Sequence, residues 1–418
     1  MKENIQTQTE APLHSVKQVM QTTCCIVGGG PAGAVLALLL ARKGVSVMLL
    51  EAHMDFEREF RGDTIHPAGM QIMDELGLAD RLLQIRHTEL REASLQSVAG
   101  PVPFINLTRL KTKYPYITVM AQAQFLNFIV GEAKHYPNFH LILGAQVDEL
   151  IEEGDQVCGV RYHGQDGWYE VRATLTVGTD GRFSRLRRLA GFEPVKTSPP
   201  MDILWFRLSR KESDPVASIG GRFGDKVILA LINRFDYWQM GYVIPKGNYQ
   251  QIRAAGIAHL RQSIAKTVPE FADRVEELKE WKQISVLSVE SSRLTRWYRP
   301  GLLLIGDAAH VMSPVGGVGI NYAIQDAVAT ANLLTEKLKY GTLHTSDLAR
   351  VQRQRELPTR IIQAVQTFIQ ERLLSAVLRA DKPFVIPSWF QMLFRIPIIR
   401  DIPARMIAFG LFPVHLKK

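Results

Sequence analysis

A glycine-rich turn near the start of the chain constrains the fold more than any other feature; it lies in TTCCIVGGGPAGAVLALLLARKGVSVMLLEAH. An apolar strand leads into the turn, a helix rich in Ala and Leu follows it, and a second apolar strand ends at Glu51. Strands that are apolar on both faces and joined by a helix are typical of a parallel βαβ unit. The segment therefore predicts an α/β fold with a Rossmann-like domain.

The glycines of this turn match the pattern G-x-G-x-x-G. The first permits the tight turn, the second lets a pyrophosphate reach N–H groups at the helix N-terminus, and the third lets the helix pack on the strand. A carboxylate that ends the next strand binds ribose hydroxyls and favours an unphosphorylated ribose, which indicates FAD or NAD. The predicted cofactor contacts in this unit are Gly28, Gly30, Pro31, Ala32, Gly33, Glu51 and Ala52.

Composition places the 418-residue chain among ordinary globular proteins, with 46% hydrophobic and 22% charged residues. It shows no repeat period and no low-complexity tract, which excludes repeat and disordered architectures. No apolar run reaches about eighteen residues, so no spanning helix is predicted. The three cysteines have neither metal-ligand nor disulfide spacing and indicate a reducing, cytoplasmic compartment. Neither a metal site nor a nucleic-acid partner is predicted.

Two further motifs decide between the dinucleotides. VGTDGRFSRLRRLAG fits D-G-x-x-S-x-x-R from Asp180 to Arg187, and LLLIGDAAHVMSPVGGVGINYAIQDA supplies G-D at Asp307. In this order after the glycine-rich turn, the motifs resemble those of the class A flavoprotein monooxygenases, the aromatic hydroxylase family that includes p-hydroxybenzoate hydroxylase. The resemblance covers residues 22–334, and Thr179 replaces the Ala or Cys that usually precedes D-G.

The resemblance implies how FAD is held. Asp307 accepts hydrogen bonds from the ribityl hydroxyls, and backbone amides from Gly316 to Asn321 surround the pyrimidine edge of the ring, where negative charge gathers on reduction. For Arg61 and Gln122, a solvated arginine and an amide at a helix start are the alternatives. The implied contacts outside the glycine-rich turn are Arg61, Gln122, Val147, Asp180, Asp307, Pro314, Gly316, Gly319, Ile320 and Asn321.

Two histidines are candidates for a role near the flavin. His310 follows Asp307 closely and suggests an acid–base pair, but an aspartate engaged by a ribityl chain cannot orient it, and the family histidine here is largely architectural. His66, in DTIHP, is expected to approach the flavin or the substrate. We take His66 as the catalytic candidate, with a hydrogen-bonded structural role as the alternative.

The resemblance predicts a domain organisation in which the chain enters the FAD-binding domain three times. A mostly antiparallel, aromatic-rich sheet that binds substrate is inserted between the second and the third FAD-binding part. The predicted boundaries are a flexible tail over 1–21, FAD-binding parts over 22–95, 120–199 and 290–345, a substrate-side segment over 96–119, the inserted sheet over 200–289 and a C-terminal helical, basic and apolar segment over 346–418.

The chemistry implied belongs mostly to the cofactor. NADH or NADPH reduces FAD, O₂ forms a flavin C4a-hydroperoxide, and the distal oxygen hydroxylates or epoxidises an aromatic or otherwise electron-rich, lipophilic small molecule. The pocket must exclude water, so aromatic side chains of the inserted sheet are candidates to line it, although each is as readily core. Alternation along the strand puts Trp205 and Arg207 on one face. The predicted substrate contacts are Trp205, Arg207, Tyr237 and Tyr242.

Three alternatives share this fold. A flavin-dependent halogenase is expected to carry W-x-W-x-I-P and an active-site lysine, whereas WQMGYVIPKG has one Trp at a different spacing. A flavin-dependent reductase of isoprenoid double bonds stays open. A non-catalytic scaffold that binds prenylated partners is the third, and the intact flavin motifs count against it.

The end of the chain is apolar and basic. From Gly341 onward there are 12 basic and 5 acidic residues, so most of the net charge of +9 lies there. The tail from Lys382 predicts either peripheral contact with an anionic membrane or a helical lid packed on the FAD domain. The sequence specifies neither the oligomeric state nor the substrate.

Overall fold

A computed structural model of the chain describes residues 16–57, 63–97, 100–214, 219–224, 227–374 and 397–417. The strands are β1 (Val16–Val27), β2 (Val47–Glu51), β3 (Thr64–Ile65), β4 (Thr88–Leu90), β5 (Glu92–Ser97), β6 (Gly100–Asn106), β7 (Ile117–Val119), β8 (Phe139–Leu143), β9 (Gln146–Glu153), β10 (Gln156–Gly164), β11 (Gly167–Gly178), β12 (Val195–Thr197), β13 (Met201–Ser209), β14 (Ile219–Phe223), β15 (Ile228–Asn233), β16 (Tyr237–Pro245), β17 (Ser285–Ser288), β18 (Ser291–Arg293), β19 (Tyr298–Arg299), β20 (Leu302–Leu304) and β21 (His310–Val311).

The helices are α1 (Pro31–Arg42), α2 (Pro67–Glu75), α3 (Ala79–Leu82), α4 (Gln122–Ala133), α5 (Arg185–Leu189), α6 (Tyr249–Ala255), α7 (Ile257–Thr267), α8 (Gly319–Lys339), α9 (Thr345–Ile369) and α10 (Pro397–Phe409). Single 3₁₀ turns lie at Leu107–Arg109, Pro269–Phe271, Val275–Glu277, Trp281–Gln283, Gly306–Ala308 and Val315–Gly317, and a π-helical turn lies at Gln370–Leu374.

The first large sheet carries the nucleotide-binding strands. Its order is β19-β20-β11-β1-β2-β8, with β10 and β9 added as antiparallel strands beside β11. β1 pairs in parallel with β2 and β11, and α1 packs on α4 and α8. The core between them is apolar on both faces of the strands, which is why Cys24, Cys25, Leu49 and Val177 are all fully buried. The predicted α/β, Rossmann-like fold is confirmed.

Strand β1 begins at Val16, earlier than the sequence predicts, because the predicted flexible tail extends to residue 21. These residues pair in parallel with β11 from Trp168 onward. Most of their side chains are exposed or half-buried, so no apolar pattern reveals the strand. The extension is stabilised by backbone pairing along the unusually long β11, and residues 1–15 lie outside the described part of the chain.

The second large sheet has the order β17-β13-β16-β15-β14-β5-β6. It is antiparallel except where β14 meets β5. Its outer face is covered by α7 and packs Leu204, Phe206 and Leu260 into a closed core. Its other face packs Ile203 and Val243 together with Val315. Because Val315 belongs to the loop before α8, this second face looks onto the FAD-binding domain.

The C-terminal segment packs on the body of the molecule where it is described. Ala404 and Ala408 of α10 are buried against side chains of β4, β5 and β7. Residues 375–396 of the predicted helical segment lie outside the described part of the chain. No described helix combines the length and apolarity needed to cross a bilayer.

Candidate active site

The glycine-rich turn between β1 and α1 has two glycines that the fold requires and one that faces open space. A Cβ at Gly28, where φ is +106°, would lie 2.6 Å from the carbonyl oxygen of Thr179. A Cβ at Gly33 would lie 2.0 Å from the carbonyl oxygen of Gly28. Among the described residues, no atom lies within 4 Å of a Cβ built at Gly30. The open space lies at the start of α1, where free amides and the helix dipole favour a phosphate.

Glu51 ends β2 beside this turn. Its Oε2 accepts a hydrogen bond from the Gly29 amide at 2.8 Å, and its Oε1 accepts one from the His53 amide at 3.0 Å. Nδ1 of His53 lies 2.7 Å from the same Oε1. His53 is therefore a further candidate at the ribose position, which sequence reasoning missed although it follows the carboxylate by two residues.

The other residues predicted around the nucleotide take different positions. Pro31 is the first residue of α1, and Ala32 behind it is buried. Ala52 is exposed beside Glu51, whereas Val147 in β9 is buried in the apolar core. These positions surround the open end of the sheet, and direct contact with FAD stays a prediction for each.

The D-G-x-x-S-x-x-R motif caps α5. The carboxylate of Asp180 accepts hydrogen bonds from Ser184 Oγ at 2.5 Å and from the amides of Arg185 at 2.6 Å and Leu186 at 3.0 Å. Burial raises the pKa of Asp180. Both carboxylate oxygens thus have partners within the chain, and the predicted cofactor contact of Asp180 stays a prediction.

The same motif is joined to the other two motifs. Arg187 donates from Nη1 to the carbonyl of Ala308 at 3.1 Å. The hydroxyl of Thr179 lies 2.9 Å from the Val27 carbonyl and 2.7 Å from the Gly28 carbonyl, and it donates to them. The departure at Thr179 therefore gives the glycine-rich turn a hydroxyl contact that an alanine at this position could not make.

The G-D pair lies against the start of α1. Gly306 has a φ of +60°, and a Cβ there would be 3.2 Å from Cβ of Ala32. This close approach places the half-buried Asp307 in the 3₁₀ turn beside the glycine-rich turn. The three motifs, distant in sequence, thus meet at one edge of the sheet.

His310 is bound to an aspartate other than Asp307. Its Nε2 lies 2.6 Å from Oδ2 of Asp326 in α8. The amide of Gly306 donates to the same oxygen at 3.0 Å, and Arg355 of α9 donates to Oδ1 at 2.7 Å. Burial raises the pKa of Asp326, but the charges of His310 and Arg355 outweigh burial and hold it below its ordinary value. This buried network, which sequence reasoning missed, gives His310 an architectural position.

The loop before α8 forms a second glycine-rich turn. Gly316 and Gly317 have φ values of +81° and +62°. Thr64 donates from Oγ1 to the Gly317 carbonyl at 3.1 Å, and Asn321 Oδ1 accepts a hydrogen bond from the His66 amide at 2.9 Å. The amides of Gly317 and Asn321 donate to the carbonyls of Pro314 and Val318, each at 3.0 Å. The predicted contacts that lie in this turn are Pro314, Gly316, Gly319, Ile320 and Asn321.

His66 is the N-cap residue of α2 and is fully buried. Its Nδ1 lies 2.6 Å from the carbonyl oxygen of Ile407 in α10. Burial lowers the pKa of His66 to about 4, against the weaker opposing effect of this hydrogen bond. The histidine therefore connects the flavin side of the molecule to the C-terminal helix.

Gln122 begins α4, and its amide donates to Oδ1 of Asp63 at 3.0 Å. Asp63 also forms an ion pair with Arg234, which follows β15 of the second sheet. Arg61 lies outside the described residues. The Asp63–Arg234 pair joins the start of β3 to the end of β15, and no local sequence signal connects two residues so far apart.

The predicted substrate residues divide between the two faces of the second sheet. Trp205 packs with Ile203 and Val315 on the face toward the FAD-binding domain. Arg207 follows on that face, with Cζ 4.9 Å from the centre of the Tyr237 ring. These three predicted contacts therefore share the face that meets the loop before α8.

Tyr242 lies on the opposite face of the second sheet from the other three predicted substrate contacts. The register pairs Tyr242 with Leu204, so its side chain belongs to the covered face. Its hydroxyl lies 2.8 Å from Ser263 Oγ of α7, and burial raises the pKa of the phenol. The aromatic composition of the strand does not distinguish its two faces, and only the register does.

These arrangements fit FAD. Open space lies at Gly30 beside a helix N-terminus, a carboxylate stands at the end of β2, and the second glycine-rich turn presents positive-φ backbone. Nε2 of His66 is buried without a hydrogen-bond partner among the described residues. FAD would be held by these groups and by Asp307, which lies where the Gly306 turn approaches the start of α1.

Comparison with known proteins identifies the family of this chain. The model of the FAD binding domain family matches residues 21–360. The 6-methylpretetramide 4-monooxygenase of Streptomyces rimosus is 34% identical over 392 residues, which cover 93% of this chain and 92% of that protein. The 3-demethoxyubiquinol 3-hydroxylase of Escherichia coli (strain K12) is 25% identical over 77% of this chain and 81% of that protein.

Solved structures show the same fold. The p-nitrophenol 4-monooxygenase PnpA from Pseudomonas putida DLL-E4 superposes with a TM-score of 0.75 at 20% identity, covering 93% of this chain and 97% of that one. A flavin-dependent brominase gives a TM-score of 0.73 at 17% identity, covering 93% and 94%. The fold alone therefore does not separate hydroxylases from halogenases, whereas the relative at 34% identity does. The predicted resemblance is confirmed: this chain belongs to the FAD binding domain family and is an FAD-dependent monooxygenase of the class A flavoprotein type.

Proposed function

We propose that this monooxygenase hydroxylates a fused-ring phenolic compound, with NADH or NADPH as the electron donor. FAD, when bound, supplies the activation of O₂ and its transfer to an electron-rich carbon. The chain contributes the cradle for FAD, an apolar wall against which the substrate lies, and the exclusion of water from the cleft.

The observation that carries this proposal is the position of Trp205 across from Gly241. The two residues are register partners on β13 and β16. A Cβ at Gly241 would lie 2.9 Å from Cζ3 of Trp205, so the indole rests against the bare backbone of the neighbouring strand. With Ile203 and Val243 beside it, this face is an apolar wall of the kind that suits an aromatic ligand.

The wall lies next to the predicted flavin turn. Val315, in the 3₁₀ turn before α8, packs in the same apolar cluster as Trp205 and Val243. A planar substrate against this wall would therefore lie close to the ring that Gly316 and its neighbours are expected to hold. Proximity of this kind is the main contribution a protein makes to a cofactor reaction.

The relatives support the substrate class. The names of the 34% identical 6-methylpretetramide 4-monooxygenase and of the 26% identical anhydrotetracycline monooxygenase from Streptomyces rimosus refer to compounds of the tetracycline class, which consist of fused rings. The chain spans 92% of the first protein and 61% of the second. The proposed substrate class, phenols with fused rings, rests on these names, and no individual compound is proposed.

We also propose that the C-terminal helix acts as a lid over the cleft. The side chain of Ile407 approaches Gly316, where an added Cβ would lie 3.9 Å from it. The carbonyl of the same residue binds His66, and Ala404 and Ala408 are buried. This packing favours the lid for residues 397–417; peripheral membrane contact stays a prediction for the rest of the tail.

The test is a comparison of substrates by NADH and NADPH oxidation together with hydrogen peroxide release. Fused-ring phenols should accelerate oxidation and suppress peroxide, whereas single-ring phenols should do so weakly. Gly241→Val should displace the Trp205 indole and impair fused-ring substrates selectively, and Met240→Leu on the covered face is the matched control. Reduction of an isoprenoid alkene without O₂, and no response to any phenol, would establish the reductase instead.

A further inference from the structure

The polar atoms of His66 have hydrogen-bond partners among the described residues, with the exception of one ring nitrogen. Its backbone amide donates to Asn321, and its Nδ1 meets the carbonyl oxygen of Ile407 at 2.6 Å. Its Nε2 is buried and has no hydrogen-bond partner in the described part of the chain. A buried ring nitrogen without a partner is unfavourable, because it has lost its hydrogen bond to water and gained none in return.

The contact with Ile407 fixes the tautomer. A carbonyl oxygen can only accept, so Nδ1 of His66 must carry the hydrogen. Burial keeps the ring neutral near pH 7, with a pKa of about 4. Nε2 therefore carries a lone pair and no hydrogen, and the only group it can pair with is a donor.

Nε2 of His66 lies close to the second glycine-rich turn. A Cβ at Gly317 would lie 3.7 Å from Nε2 of His66, and 3.0 Å from Oγ1 of Thr64. The Thr64 hydroxyl is already directed to the Gly317 carbonyl at 3.1 Å. Nε2 is thus next to Gly317, in the turn that is predicted to hold the flavin ring.

We propose that Nε2 of His66 accepts a hydrogen bond from an N–H or O–H group of a ligand bound over Gly317. Two ligands of a flavin monooxygenase carry such a group there: the flavin ring through its N3–H, and a phenolic substrate through its hydroxyl. The flavin source requires only that the chain binds FAD. The substrate source rests on the proposed function.

The experiment compares methylated ligands in the wild type and in His66→Phe, which fills a similar volume without a nitrogen. Apoprotein is titrated with FAD and with N3-methyl-FAD, and holoenzyme is titrated with 1-naphthol and with 1-methoxynaphthalene. Methylation of the group that Nε2 contacts should weaken binding to the wild type about three- to tenfold more than to the variant. A steric effect of the methyl group appears in both proteins and cancels.

A selective loss with N3-methyl-FAD identifies the flavin as the source, and a selective loss with the methyl ether identifies the substrate. If both methylations have equal effects in the two proteins, Nε2 meets neither ligand and the proposal is overturned. His66→Met is measured in parallel, so that the comparison survives if one variant does not fold. Both arms measure binding, so the flavin result can be read even if no fused-ring phenol is hydroxylated.

Discussion

Nε2 of His310 lies 2.6 Å from Oδ2 of Asp326, and both side chains are buried. Through Arg355 and the Gly306 amide, the same carboxylate holds α9 and the turn that carries Asp307. A single buried charge thus fixes α9 and one side of the FAD site together.

Asp326→Asn should destabilise the protein strongly, because it leaves Arg355 charged and buried without its counterion. Loss of one partner of a buried ion pair costs about 3–5 kcal/mol. Urea unfolding of the apoprotein measures the effect. Asp166→Asn, which disrupts an exposed pair with Lys17, is the matched control and should change stability little. Equal stability of the two variants would show that the network is not a structural element.

The two glycines of the first turn should respond differently to alanine. Gly33→Ala places a methyl group 2.0 Å from a carbonyl oxygen and should destabilise the apoprotein. The methyl group of Gly30→Ala would lie in open space, and the φ of −69° at this position is one that alanine adopts freely. The stability of the apoprotein should therefore be nearly unchanged. FAD titration of Gly30→Ala should nevertheless show much weaker binding, because the methyl group occupies the predicted phosphate position. Unchanged FAD affinity would place the pyrophosphate elsewhere.

Tyr242→Phe should lower the stability of the folded protein and leave substrate binding unchanged. Loss of its hydrogen bond to Ser263 costs about 1 kcal/mol, seen as a lower midpoint of unfolding. KM for a fused-ring phenol should stay at the wild-type value, whereas Trp205→Leu on the opposite face should raise KM. A raised KM in Tyr242→Phe would contradict the assignment of the two faces.

Protonation of His66 should make stability depend on pH. The pKa of His66 is lowered by burial from 6.5 to about 4, so below pH 6.5 the unfolded chain takes up a proton that the folded chain does not. The stability from this group is complete above pH 6.5 and is lost towards pH 4, by about 3 kcal/mol. Urea unfolding of the apoprotein from pH 4 to 7 should show this slope in the wild type and a weaker one in His66→Gln. Equal slopes would indicate an ordinary pKa for the buried ring.

The parts of the site that the sequence predicted are those set by local geometry. The turn from Gly28 to Gly33 and the carboxylate of Glu51 belong to one βαβ unit, whose spacing is fixed by a strand, a helix and a strand. The Gly306 turn is equally local. Such motifs keep their geometry wherever the unit occurs, so the fold class and the FAD-binding family could be recognised without contacts.

The rest depends on pairings between distant segments. Asp326 and Arg355 meet His310 because α8 and α9 pack together, and Arg234 after β15 pairs with Asp63 before β3. The strand containing Tyr242 is apolar on both faces, so its pattern could not show which side meets substrate. The extension of β1 to Val16 is likewise a backbone pairing with no side-chain signal.

The most direct test of the account is isotope incorporation during turnover. Holoenzyme is supplied with NADH or NADPH and a fused-ring phenol under ¹⁸O₂, and the product is analysed by mass spectrometry. We expect one ¹⁸O atom in the new hydroxyl group, and none when the label is supplied as water. A product that lacks the label, or that also forms without O₂, would contradict the assignment of this chain as a hydroxylating monooxygenase.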